Sequence, residues 1–158
     1  MWNIAGVTEE CFACRNSEAV ELAPVTEAIY VGRAWRVAHA FNTSLPGWLV
    51  LVPLRHVTTL DAMSEAEVMA MGLLLRRCSV ALRELLGCSK TYFMLFAEAE
   101  GFSHLHVHVV PRMDWFEPEQ AGPGVFSFLG LDESASLPQS EREDLARALR
   151  GLLHDDQE

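Results

Sequence analysis

Between Gly101 and Arg112 the chain reads GFSHLHVHVVPR, with His104, His106 and His108 at every second position and an apolar residue in each gap. Successive side chains of a strand point to opposite faces, so the three imidazoles share one face and Leu105, Val107 and Val109 the other. Neighbouring histidines then start about 6.6 Å apart, and the outer two about 13 Å. Two adjacent imidazoles can converge on one metal ion at about 2 Å per bond, but three do so only under strain, which leaves at least one free. A row of neutral imidazoles can also hold an anion, pass protons near neutral pH, or attack an electrophile. Towards the other end, CFAC separates Cys11 from Cys14 by two residues. That spacing serves zinc sites and redox pairs alike, and partners elsewhere in the chain decide which.

The elements that must carry these residues are legible from pattern. EAIYVG and WRVAHAF have the β-branched and aromatic content of strands, with a turn near Gly32 and Arg33. WLVLVP is a continuous apolar run, as in a strand buried on both faces, and Pro53 ends it. SEAEVMAMGLLLRRCSVALRELLG is a helix, with Ser64 and Glu67 as a capping box, apolar positions at helical spacing and Gly87 to close it. KTYFMLFAEA and HLHVHVVPR are two further strands. SEREDLARALRGLL is a second helix with its own capping pair, Ser140 and Glu143, and the final HDDQE is expected to fray. Strands, long helix, strands, short helix is the order of an α+β sandwich on an antiparallel sheet.

Composition sets the bounds. A chain of 158 residues, half of them hydrophobic, suits one domain over residues 1–158, with the motifs between about 11 and 112 and a C-terminal extension from 113 to 158. A net charge of −10 argues against a nucleic-acid partner, which would require a basic face. No run of about 18 apolar residues occurs, so no membrane span is expected, and the N-terminus lacks the basic start and apolar core of a secretory leader. A cytoplasmic location is expected, where four cysteines are poor evidence for disulfides; Cys78 and Cys88 read as packing residues. His39 and His154 read as packing or surface residues.

HLHVHVVP resembles the signature of the histidine triad (HIT) family, three histidines alternating with apolar residues. PGWLVLVPLRHV resembles the family's other stretch, a glycine, an apolar strand and Pro-x-x-His, and CFAC matches the C-x₂-C of its zinc-containing bacterial members. The resemblance implies a five-stranded antiparallel sheet with one long helix and a shorter C-terminal helix, paired into a homodimer. It implies hydrolysis or transfer at the α-phosphate of a nucleoside phosphoramidate or dinucleoside polyphosphate. His106 would be the nucleophile, forming a nucleotidyl-histidine, and His108 would contact the phosphate. Cys11, Cys14, His56 and His104 would hold Zn²⁺, a closed tetrahedral site of the structural kind.

Three positions depart from the family pattern. Trp48 stands where a histidine usually follows the glycine. AEAEGFS replaces a Gly-Gln-Ser/Thr segment, with Glu100 where the glutamine would fall. Asn42 replaces an acidic residue that often meets the ribose. Ser103, the amides near Gly101, Arg55 and Arg112 are candidates for phosphate contacts; Asn42, Phe41 and Leu49 for the nucleoside; and Trp115 and Phe116, just past the triad, for packing. Two other readings stay open: a nucleotide-binding module with little catalysis, motivated by the altered loop and Trp48, and a hydrolase with a catalytic metal on His104 and His106 beside Glu98 or Glu100.

Overall fold

A computed structural model describes residues 11–155 of the chain; the expected absence of a leader falls on residues 1–10 outside them, and of the residues 154–158 expected to fray, His154 and Asp155 are helical while 156–158 lie outside. The elements run α1 (Phe12–Glu18), β1 (Tyr30–Val31), β2 (Trp35–His39), β3 (Leu49–Pro53), α2 (Glu65–Leu86), β4 (Lys90–Met94), β5 (Val107–Arg112) and α3 (Gln139–Asp155), with short 3₁₀ turns between. The five strands form one antiparallel sheet in the order β1-β2-β3-β5-β4. The fold is thus the α+β arrangement expected from the pattern.

α2 begins and ends as its residues dictate. The Ser64 hydroxyl accepts from the Glu67 amide, the Glu67 carboxylate accepts from the Ser64 amide, and Gly87 closes the helix at φ +67°. Its buried face, Leu74, Cys78, Ala81 and Leu82, follows the helical repeat. α3 starts earlier than its expected cap. Pro138, whose carbonyl accepts from Arg142 N, precedes the helix, so Ser140 lies inside the first turn. Glu143 instead accepts from the Gln139 and Arg147 side chains. α1 has no counterpart in the expectations, because seven residues carry too little periodicity to announce a helix.

The sheet is covered on both faces, which explains the uniform apolarity of β3. On one face α2 and α3 pack on Trp35, Val37, Leu49, Leu51, Leu105, Val107 and Val109. On the other, a smaller core of Leu45, Trp48, Val110, Phe116 and Val125 is closed by the segment after β5. That segment is pinned at Asn42–Ser44: Leu131 N donates to Asn42 O, Leu137 N to Thr43 O, and Ser44 N to Phe128 O. Leu49 therefore faces the helices at 0% exposure, not a nucleoside.

His39 proves to be a packing residue with a structural duty. Its Nδ1–H donates to Ala40 O at 2.7 Å, and its Nε2 accepts from Gly47 N at 3.0 Å. Gly47 sits at φ +81°, where an added Cβ would lie 2.5 Å from Leu86 Cδ1, so the turn into β3 demands glycine. Burial holds His39 down at about 4, against an ordinary histidine near 6.5. Between those values the unfolded chain binds a proton that the native fold refuses, so stability falls as pH drops through that window. In urea unfolding at pH 7.5 and pH 5, His39 is expected to account for about 2 kcal/mol of the loss. His39→Gln should be less stable at pH 7.5 yet lose correspondingly less on acidification; an unchanged loss would mean that His39 is not the group responsible.

Candidate functional site

The row of histidines is split by a change in backbone. β5 begins only at Val107, so His108 alone lies within the strand, while His104 and His106 sit on the irregular approach to it. The expected alternation survives in burial: Leu105, Val107 and Val109 enter the main core. His104 lies at a bend, and just after it Leu105 N donates to Val57 O at 2.7 Å. The rings of His106 and His108 stay together, with centroids 5.0 Å apart and planes nearly perpendicular.

His104 turns towards the cysteines. Its Nδ1 lies 3.5 Å from both Cys11 Sγ and Cys14 Sγ, and Cys14 Sγ lies 3.3 Å from His56 Nδ1. All four donor atoms fall within 4.8 Å of one another. Bonds of 2.0–2.3 Å to a tetrahedral ion place neighbouring ligand atoms about 3.5 Å apart, so the spacing fits a metal, and two sulfurs with two imidazoles suit zinc. The supporting contacts fit as well. His104 Nε2–H donates to Pro53 O at 3.0 Å, which leaves Nδ1 bare for coordination. Burial holds His104 neutral, down at about 4. Burial and the adjoining Cys11 thiol push Cys14 up to about 11, so a bound cation would be needed to make Cys14 a thiolate near neutral pH. α1 supplies the cysteines one turn apart, which brings both sulfurs to the same side.

His106 and His108 line a cavity of about 370 Å³ over the sheet. Its floor is the strand face carrying Arg36, Ala38, Val50 and Val52, and Phe12, Phe41, Phe96, Phe102 and Phe126 form much of its walls. His106 Nδ1–H donates to His104 O at 2.8 Å, which in the neutral ring leaves the lone pair on Nε2. His108 Nδ1 meets the Trp48 indole N–H at 3.0 Å. Burial first, and then the neighbouring His106, hold His108 at about 4, well below the usual imidazole range. An unprotonated ring nitrogen beside a second imidazole, in a largely apolar cavity, can attack an electrophile.

Asn42 and Phe41 line the same cavity, whereas Ser103 is exposed and does not. Glu100 is also turned out, while Glu98 lines the wall. Arg55 is engaged by Glu67 at the start of α2 at 2.7 Å, and Arg112 by Asp114 at 3.3 Å. Neither reaches the cavity. Among the described residues the candidate metal cluster joins His104 to Cys11, Cys14 and His56 and does not include His106. Phe116 is buried in the smaller core, and Trp115 stays half exposed against it. Sequence reasoning missed two lining features. Arg36, 2% exposed, is ion-paired to Glu27 at 3.2 Å, and its place between apolar neighbours on β2 was a readable sign. Phe126 packs on His108, Trp48 and Phe96 from far along the chain, with no local signal.

The HIT-domain profile matches residues 25–114. The chain belongs to the histidine triad family. Solved structures agree in fold. A zinc-bound histidine triad protein of Mycobacterium smegmatis is 22% identical, with TM-score 0.64, over 90% of this chain and 94% of that one. A hypothetical histidine triad nucleotide-binding protein of Sulfolobus tokodaii is 14% identical, with TM-score 0.68, over 92% and 93%. The diadenosine triphosphate hydrolase of Plasmodium falciparum is 13% identical, with TM-score 0.61, over 81% and 76%. No curated protein sequence matches the chain at a significant level. In this HIT protein the cluster and the triad therefore sit on the family's fold.

Purified without chelator, the protein is expected to carry one zinc per chain by elemental analysis. Cys14→Ser should lose most of the metal and lower the melting temperature by about 5–10 °C. Wild-type protein without metal under these conditions would count against the cluster as a zinc site.

Proposed function

We propose that this HIT protein is a nucleotide hydrolase or nucleotidyl transferase acting at the α-phosphate, with His106 as nucleophile. The observation that carries the reading is the free Nε2 of His106, held by the Nδ1–H bond to His104 O and open to the cavity beside His108. In the first step Nε2 attacks the α-phosphorus, the bond to the leaving group breaks, and a nucleotidyl-histidine forms. In the second, water attacks the phosphorus and the P–Nε2 bond breaks, releasing the mononucleotide and restoring the imidazole. Over the cycle water supplies an oxygen to phosphorus and a proton to the leaving group. His108 contacts the phosphoryl oxygens, where charge is held in the transition state. Asn42 and Phe41 lie where they can meet the nucleoside; Asn42 replaces a carboxylate with an amide that still bonds hydroxyls.

Of the two leaving-group classes, the charge of the cavity favours an amine. Arg36 is the one cationic side chain among the described lining residues, and Glu27 already neutralises it. Glu98 adds a negative charge to the wall. A second nucleotide on a polyphosphate would bring several more negative charges with nothing to offset them. A phosphoramidate presents one phosphoryl anion and a neutral or cationic amine.

Zinc at the cluster would be structural, since four protein ligands leave no open position. It would tie α1 to the segment that carries the nucleophile. The homodimer implied by the family has a ready surface. β4 is an open edge of the sheet, with Phe93 47% exposed, and α2 presents Leu73 at 69% and Met69 at 65%. An edge strand can pair with its own copy about a two-fold axis. Free thiols at Cys78 and Cys88 suit the cytoplasm.

The test is AMP release from adenosine phosphoramidate and from diadenosine triphosphate, by zinc-loaded wild type and His106→Ala. Wild type should turn over the phosphoramidate with at least about tenfold higher kcat/KM, and His106→Ala should lose on the order of 10³-fold. Equal turnover in the variant would remove His106 as nucleophile. Nucleotide binding without turnover would favour a binding module instead. For the dimer, light scattering should give twice the chain mass, and Leu73→Glu should give a monomer with the zinc retained.

A further inference from the structure

We propose that Trp48 is a positioning residue that makes His108 a hydrogen-bond donor, by locking its imidazole in the Nε2–H tautomer. The inference rests on the reading of His108 as the phosphate contact. The argument needs only donor chemistry. An indole N–H donates and never accepts. The Trp48 Nε1–H lies 3.0 Å from His108 Nδ1, so Nδ1 must carry a lone pair, because two N–H groups cannot face each other at that distance. A neutral imidazole with a bare Nδ1 bears its hydrogen on Nε2. Among the described residues Nε2 has no protein partner, and His108 lines the cavity, so that N–H is available to a ligand.

The neighbouring ring is set the opposite way. His106 donates from Nδ1 to His104 O at 2.8 Å and presents a lone pair at Nε2. Two imidazoles 5.0 Å apart are thus fixed as one nucleophile and one donor, the pairing that attack on a phosphoryl group requires. Sequence alone assigns neither tautomer; each follows from the group that meets Nδ1.

Trp48 cannot release its hold easily. It is fully buried, its carbonyl accepts from Ala40 N at 2.9 Å, and its ring packs against Phe126 with centroids 5.7 Å apart. At this place the family usually has histidine, whose ring nitrogens can donate, accept or take up a proton. An indole has one setting. The departure at Trp48 therefore keeps the donor and removes the freedom to switch, which argues against reading it as a mark of lost catalysis.

The first measurement is the ¹⁵N spectrum of the zinc-loaded wild type with labelled histidine. His108 should show an unprotonated Nδ1 and a protonated Nε2. A His108 with its hydrogen on Nδ1 would overturn the proposal, and this test needs no variant to fold and no substrate to turn over. The second measurement is kinetic. Trp48→Phe keeps an aromatic ring without the N–H and should lower kcat on the order of ten- to a hundredfold with little change in KM. Trp48→His restores a donor and should recover most of that loss. A merely structural role would lower active protein in both variants alike and leave the tautomer of the folded fraction unchanged. Folded, zinc-loaded Trp48→Phe with wild-type kcat, or Trp48→His no better than Trp48→Phe, would overturn the proposal. Wild type inactive on every substrate would defeat the hydrolase reading instead, with the tautomer still decided by the spectrum.

Discussion

One residue holds the site together through three of its atoms. His104 presents Nδ1 to the two cysteine sulfurs, donates Nε2–H to Pro53 O, and offers its own carbonyl to His106 Nδ1–H. The first contact ties α1 to the triad, the second ties the triad to the end of β3, and the third aims the nucleophile proposed here. Removing the ring would break the first two and leave the carbonyl of a loosened segment to orient His106. A metal ion at the cluster would stiffen all three at once. The ligands of such an ion come from residues 11 and 14, 56 and 104, so it would join parts of the chain that share no strand pairing. Through these contacts the cluster would bear on the proposed nucleophile without touching the substrate.

The second constraint is that the sheet must be covered twice. Helices α2 and α3 satisfy one face; the other carries the cavity, and an open strand face would flood it with water. Residues 113–137 close it by packing Phe116 and Val125 around Trp48 and by hydrogen-bonding to residues 42–44. Phe126 comes down on His108 as part of this cover. The same segment thus does two things: it completes a small core, and it lowers the local dielectric beside the imidazoles. In such surroundings a fixed dipole is worth more than in water, and an imidazole is cheaper to keep neutral than charged. The low value for His108 is the signature of that cover.

Much of this was legible in the sequence, for stated physical reasons. Strands, the long helix and its caps follow from periodicities of two and 3.6 and from local hydrogen bonds, as the Ser64–Glu67 box shows. The ligand set was implied by the resemblance to the family's zinc-bearing members, and the structure gathers those four side chains. What failed was of two kinds. A uniform alternation over residues 104–109 could not reveal that β5 starts at Val107, because burial alternates there on both sides of the boundary. Long-range partners were invisible too: nothing local to Phe126 or Trp48 says that they meet at His108. The expected cap at Ser140 was displaced by Pro138, a competing signal two residues upstream.

The charge of the cavity gives these details a common sense. Under the proposed function, the cavity would hold a phosphoryl group with almost no cation of its own, since Arg36 is already matched by Glu27. A fixed positive charge also grips the phosphates of substrate and product, and that part of its attraction raises affinity without raising turnover. Neutral donors act differently. Their attraction grows as charge gathers on the phosphoryl oxygens, and when they are fixed in advance they need no reorganisation at that moment. On the proposed reading, the work falls to an imidazole N–H whose direction is set by a buried indole. Such a site would trade ground-state grip for selectivity in charge: it would tolerate one anionic phosphate beside an amine, and every further phosphate would meet Glu98 and a cavity wall rich in phenylalanine.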